Sequence, residues 1–216
     1  MIFGKILDTL VGGSIRNIPG GLGQRIRSAY WRRRFLHCGR VKIDEGVIFQ
    51  YPEQISIGND VWIMPYALLT GPAPKNRDGE TELTLRIGDE VQVGAYSILN
   101  GTGGLILGNH VTLSARVSIY SATHLPRNPK DPKMLVGCNG MVRSLPVFFK
   151  QKNIRICDGA WLGLHAVVIC CNLGEQSFVA SGSIVTKDLM KGMKINNDGS
   201  ISSRYAIDKN DELSES

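Results

Sequence analysis

The chain has 216 residues, a formal net charge of +6, 25 glycines and only 7% aromatic residues, enough for one domain with a good core. No apolar run reaches the ~20 residues a membrane-spanning helix needs, and the N-terminus lacks the basic start, apolar core and small-residue cleavage site of a secretion signal. Five cysteines, at 38, 138, 157, 170 and 171, are odd in number and have no metal-ligand spacing; they read as reduced thiols of a cytosolic protein.

In chain order, residues 1–13 place apolar side chains at 2, 3, 6, 7, 10 and 11, a helical spacing stopped by a glycine pair. A second helix is predicted over about 22–36, carrying Arg25, Arg27, Arg32, Arg33 and Arg34 around Tyr30 and Trp31. No acidic residue occurs between Asp8 and Asp44. Two compatible readings follow: a helical cap over the end of the domain with its arginines in solvent, and peripheral contact of residues 14–40 with an anionic membrane. Charge alone also suits nucleic acid, but no recognition motif accompanies it.

From residue 41 a six-residue step takes over. Ile43, Phe49 and Ile55 are six apart; so are Ile57, Ile63 and Leu69, then Ile87, Val93 and Leu99, then Leu107, Leu113 and Ile119. In 154–187 the aliphatics Ile156, Leu162, Val168, Leu173, Val179 and Val185 continue it with one interval of five. This is neither a helix period nor a plain strand alternation. It is the period of a parallel β-solenoid, one aliphatic pointing inward from each flat side. Small residues after the aliphatic (Cys157, Gly163, Ala180) are expected to let the chain turn a corner. Ile57-Gly58, Ile87-Gly88 and Leu107-Gly108 each open a coil, with Asn or Asp next. The phase slips by two at Ile57 and again before Leu107, predicting small outward bulges at a corner. Residues 71–82 and 121–153, rich in proline and charge, are predicted excursions; the second is long enough to be functional, and its part 134–142 is expected to fold over a neighbouring site or subunit. The tail is polar, and 209–216 reads as disordered.

The coils at 41–188, closed by GSIVTKD at 182–188, resemble the hexapeptide-repeat acyltransferases, sugar and polysaccharide O-acetyltransferases in particular. The resemblance implies an all-β solenoid, a left-handed parallel β-helix, with an N-terminal helical cap (1–40), the helix domain (41–188, loop 121–153) and a polar tail (189–216). It also implies a homotrimer with active sites between subunits, acetyl-CoA as co-substrate and no metal. The tail lacks the small-residue and proline turn of most relatives, which leaves the C-terminal side of a cofactor pocket without its usual pattern.

The resemblance carries over to specific residues. His124 ends the run SIYSATH where the chain leaves the coil; at that place the resembling enzymes hold their general base, whereas a lone histidine otherwise reads as a hydrogen-bonded structural residue. A sugar hydroxyl is a poor nucleophile at neutral pH, and imidazole is the side chain suited to take its proton there. Asn100 stands about where an acceptor-binding Asn is expected, with a turn-forming Asn as the alternative. Trp161 and Gly163 match a W-x-G of the terminal coils: Trp161 for the acceptor, Gly163 for the cofactor, or simple corner packing. Ser181, Thr186 and Lys187 match positions that contact coenzyme A. His37 and His110 read as surface residues and His165 as a corner or subunit contact. Cys170 and Cys171 read as packing residues rather than nucleophiles.

The function implied is O-acetylation of a saccharide. The basic N-terminus favours a lipid-linked or surface-polysaccharide acceptor, handled in the cytoplasm at the inner face of the membrane. A free small sugar is the alternative acceptor. A metal hydratase on the same solenoid would need three converging imidazoles, for which His110, His124 and His165 lack a close-spaced pair; a non-catalytic scaffold would not need His124.

Overall fold

The aliphatics of the six-residue pattern occupy inward positions on short strands, and those strands fall into three parallel sheets. The computed structural model describes residues 11–73, 83–137 and 145–205; residues 1–10, the middle of the first loop, the 138–142 part of the second, Cys138 and the segment 209–216 therefore lie outside it. The first sheet stacks His37–Cys38, Ile55–Ile57, Leu85–Ile87, Leu105–Leu107 and Ile154–Ile156. The second stacks Val41–Ile43, Val61–Ile63, Gln92–Val93, Thr112–Leu113, Trp161–Leu162, Phe178–Val179 and Met193–Ile195. The third stacks Ile48–Gln50, Leu68–Thr70, Ile98–Asn100, Ser118–Tyr120, Val167–Ile169 and Ile184–Val185. The chain visits the sheets in rotation, so each circuit lies on the one before, about 4.8 Å away. The result is a three-sided coil with a dry interior of Ile, Val and Leu.

Two of the three corners share one repeating backbone form from the second circuit onward. Three residues after each inward aliphatic the backbone enters the left-handed region: Asp60, Glu90, His110, Gly159, Gln176 and Gly192 at the first corner, and Gly46, Tyr66, Tyr96, Arg116, His165 and Gly182 at the second. Most of these are not glycine. Beyond the first circuits the amide of each such residue bonds to the previous circuit, as Glu90 N–H does to the Asn59 carbonyl (2.8 Å) and Arg116 N–H to Ala95 (2.8 Å), which offsets a conformational cost of about 1 kcal/mol per residue. The glycine directly after the aliphatic therefore serves a different purpose from the expected turn. A Cβ on Gly58 would lie 2.4 Å from Asp89 Oδ1 and 2.7 Å from the Gly88 carbonyl carbon. Glycine is required because the next circuit passes so close. The Asn or Asp that follows completes the stack: Asp89 accepts from Asn59 N–H (2.6 Å), Asn109 from Asp89 N–H (2.9 Å) and Asp158 from Asn109 N–H (3.1 Å).

The first corner is one residue shorter in the first circuit, Cys38 to Val41 lying against Ile57 to Val61; the larger irregularities gather at the third corner, between the third and first sheets. Ile55 and Ile57 sit on one strand and both point inward, so the extra residues there precede Ile55 as the 3₁₀ turn Pro52–Gln54, not at Ile57. The 71–84 excursion, the Gly101–Gly104 turn and the 121–153 excursion leave from the same corner. The stacked strands also run further than 41–188, from His37 to Ile195, and the tail folds back as Ile201–Ser203, antiparallel to Met193–Ile195.

Helix α1 (Gly20–Arg32) packs on the first circuit. Trp31 and Phe35 close on Phe49 with ring centroids 4.9 Å away in each case. The expectation that all arginines face solvent fails at Arg27, which is 1% exposed. Its guanidinium donates to the carbonyls of Ile43 (3.2 Å), Ile15 (3.4 Å) and Ile18 (2.5 Å), binding helix, preceding segment and coil together. Burial pushes the group below its ordinary pKa, and the carboxylates of Glu45 and Asp44 pull it back. Replacing Arg27 with Met should strand these carbonyls and cost about 3 kcal/mol, read as a lowered urea midpoint of the full chain; an unchanged midpoint would mean the helix is held by its aromatics alone.

Candidate active site

At the third corner the outward ends of the third-sheet strands form a ladder, Gln50, Thr70, Asn100, Tyr120 and Ile169, in register. Beyond Tyr120 the chain leaves the coil. Ser121 is buried and anchors the departure: its N–H (3.0 Å) and hydroxyl (2.7 Å) both donate to the Asn100 carbonyl, while its Oγ accepts from Gly103 N–H (2.8 Å). The strand Ala122–His124 then pairs antiparallel with Phe149–Gln151, a two-stranded ribbon that brings the excursion out and back. His124 stands exposed at its outer end. Its imidazole lies against the Phe149 ring, with centroids 4.4 Å apart and planes tilted by 44°.

The returning strand is tied to the last circuits. Lys152 donates to both Asp188 oxygens (2.9 and 3.2 Å), and Asp188 also accepts from the backbone (2.8 Å) and side chain (3.1 Å) of Asn172. Beneath the ribbon, the Cys170 thiol faces the carbonyls of Ser121 (3.5 Å) and Lys150 (3.8 Å). Burial raises the Cys170 pKa and pushes Cys171 up to about 11. Thiols so protonated are packing groups, not nucleophiles.

The remaining candidate residues lie at the third corner, on the second sheet and at the second corner. Thr186 and Lys187 are exposed at the third corner, on the last circuit. Trp161 is exposed on the second sheet, between Thr112 and Phe178. Gly163 and Ser181 stack at the second corner, where a Cβ on Gly163 would lie 2.7 Å from Ser181 N and Oγ. In one chain the whole third-sheet face separates these from His124. Asn100 adopts the turn role, its Oδ1 accepting from Thr102 N–H (3.0 Å). His37, His110 and His165 are exposed; His110 pairs with Glu90 (3.2 Å) at the first corner. Among the described residues no group of three His, Cys, Asp or Glu side chains is placed to hold a metal.

Two cavities deserve comparison with the site. One of about 510 Å³ lies between the helical segment and the first circuit, lined by Arg16, Tyr30, Trp31, Arg34 and Phe49 among others. One of about 430 Å³ lies along the first sheet, lined by Ile106, Asn153, Ile154, Arg155, Cys157 and Asn172. His124 lines neither.

The same coil occurs in solved acyltransferases. AntD, an N-acyltransferase from Bacillus cereus in complex with dTDP and 3-hydroxybutyryl-CoA, superposes with a TM-score of 0.62 at 22% identity, over 76% of this chain and 79% of that one. A maltose O-acetyltransferase from Clostridium difficile 630 gives 0.55 at 16% identity, over 91% of this chain and 83% of that one. The fold is that of the hexapeptide-repeat acyltransferases. In sequence, the bifunctional protein GlmU of Bartonella bacilliformis is 26% identical over 159 residues, 69% of this chain and 29% of that protein. The chain spans about a third of the length of the curated relatives it matches. No protein-family model matches it.

The hexapeptide-repeat coil and the position of His124 at its exit were legible in the sequence; Ser121, Phe149, Lys152 and the contacts of Asp188 were not. The Lys152–Asp188 contact joins residues 36 apart, and no local pattern announces it. The backbone N–H of Asn172 first, then Lys152, holds the Asp188 carboxyl below its ordinary value. A depressed carboxylate contributes stability that is present above the unfolded-state pKa and lost as pH falls through the folded-state value. Asp188→Asn should therefore lower the urea midpoint at neutral pH and leave it nearly unchanged in acid below that range; an equal loss at both would show that charge is not what matters there.

Proposed function

We propose that the protein is an acyl-CoA-dependent O-acetyltransferase that moves an acetyl group from acetyl-CoA to a saccharide hydroxyl, with His124 as general base, on a left-handed coil. The observation that carries this reading is the exposed imidazole on its ribbon at the corner from which the excursions leave. The acceptor O–H proton passes to the imidazole as the oxygen attacks the thioester carbonyl; the C–S bond then breaks, and the thiolate leaves with a proton returned from the imidazole. The Phe149 ring limits how His124 can turn. The developing oxyanion needs a hydrogen-bond donor, which the exposed amides of the coil edge can supply. No acyl-enzyme is needed, which agrees with thiols held protonated by burial.

The division of site residues between two corners supports a homotrimer. Two corners flanking one face cannot reach a common substrate within a chain, but they meet where the second corner of one copy lies beside the third corner of the next. Trp161, Gly163 and Ser181 of one chain would then complete the site begun by His124, Thr186 and Lys187 of another. Lys187 suits a nucleotide phosphate of the co-substrate, and Ser181 and Thr186 suit its amides. Asn100 is kept as an acceptor contact through its amide nitrogen. The acceptor we favour belongs to surface-polysaccharide synthesis and is lipid-linked, used on the cytoplasmic side of the membrane; a free small sugar is the alternative. The likeness to AntD, solved in another crystal with dTDP-4-amino-4,6-dideoxyglucose and coenzyme A, favours a second reading, acylation of a sugar amine by the same site.

The test is release of free thiol from acetyl-CoA in the presence of hydroxyl and amino sugar acceptors. His124→Ala should lose about 10²–10⁴-fold in kcat with stability unchanged. Activity within a few-fold of wild type would remove His124 from the mechanism, and transfer to amines alone would establish the second reading.

A further inference from the structure

The rotation of α1 about its own axis is fixed. Arg27 and Trp31 face the coil, and a Cβ on Gly23 would lie 2.0 Å from the Ile18 carbonyl oxygen, so the helix cannot roll. With 100° per residue, Arg32, Arg25, Ala29, Leu22, Arg33 and Ile26 then share an outward arc of about 120°. All are exposed, Leu22 at 70% and Ile26 at 36%, and Leu36 just beyond the helix is exposed at 58%. Aliphatic side chains left in water beside three guanidiniums, in a stretch with no carboxylate from residue 9 to 43, make a face complementary to one kind of surface.

We propose that this face of α1 docks on an anionic lipid bilayer, with Leu22 and Ile26 entering the boundary between headgroups and acyl chains and Arg25, Arg32 and Arg33 on lipid phosphates. The charge argues against a second copy of the chain: twofold pairing of this face would set arginine against arginine. It argues against a nucleic acid less directly, since phosphate binding gives exposed Leu and Ile nothing to do. The docking deepens the proposed function by bringing the site to where a lipid-linked acceptor would lie. It is read by a separate assay, so failure of docking and failure of acyl transfer are distinguishable.

The experiment is co-sedimentation of the full chain with vesicles of phosphatidylcholine alone and of phosphatidylcholine with about one quarter phosphatidylglycerol. Binding is expected to the second only, and to weaken in high salt. The triple variant R25Q/R32Q/R33Q should partition about 100-fold less, from about fivefold per cationic residue. The double variant L22Q/I26Q should also bind more weakly at unchanged charge. All five positions are exposed, so both variants should keep the wild-type urea midpoint. Equal binding to both vesicles, no binding to the anionic ones, or unaltered binding by the triple variant would overturn the proposal. So would a change in the triple variant's mass in solution without vesicles, which would make the face a contact between copies.

Discussion

Everything in this protein answers to the close stacking of one circuit on the next. With parallel strands about 4.8 Å apart, a Cβ at Gly58, Gly88 or Gly108 would come within 3 Å of the next circuit, which favours glycine at those three positions. The stacking also creates the column in which each Asn or Asp accepts an amide from the circuit before. A coil stacked this way is rigid along two corners. Long additions to the chain come only where the stacking is interrupted, and the third corner takes the excursions.

That division of labour bears on where the proposed chemistry would sit. A reacting group needs a side chain that is held yet accessible. The coil's inward positions are closed to substrate, and the regular corners are occupied by their own hydrogen bonds. At the third corner Ser121 clamps the outgoing chain to Asn100, Phe149 backs the imidazole of His124, and Lys152 fastens the returning strand to Asp188. The ribbon is thus pinned at its base and open at its tip. The N-terminal end solves a different problem: Trp31 and Phe35 pack on Phe49 of the first circuit, and Arg27 donates to the Ile43 carbonyl there.

Much of the fold was legible because a coil repeats itself. One aliphatic every six residues identifies the interior, and Ile57, Ile63, Leu69, Leu113 and Val168 are all fully buried. What the period could not reveal was the purpose of the small residues, since proximity to a residue 20 or more positions away has no local signature. The same reason hid the burial of Arg27: in sequence it is one arginine among five, and only the contact with Ile43 distinguishes it. At the site, His124 stood out by its place at the exit from the coil. Ser121, Phe149 and Lys152 did not, because each acts on a partner brought near by the excursion.

The account stands on an imidazole at the third corner facing an acyl donor held between chains. Its most direct test is a crystal structure of the assembled protein with coenzyme A bound. The account predicts the coenzyme sulfur within about 6 Å of the His124 ring, two contact distances of about 3 Å with room for one acceptor oxygen, and residues of two chains around the pantetheine. A sulfur bound on a different face of the coil, or a pocket built from one chain with His124 outside it, would contradict it.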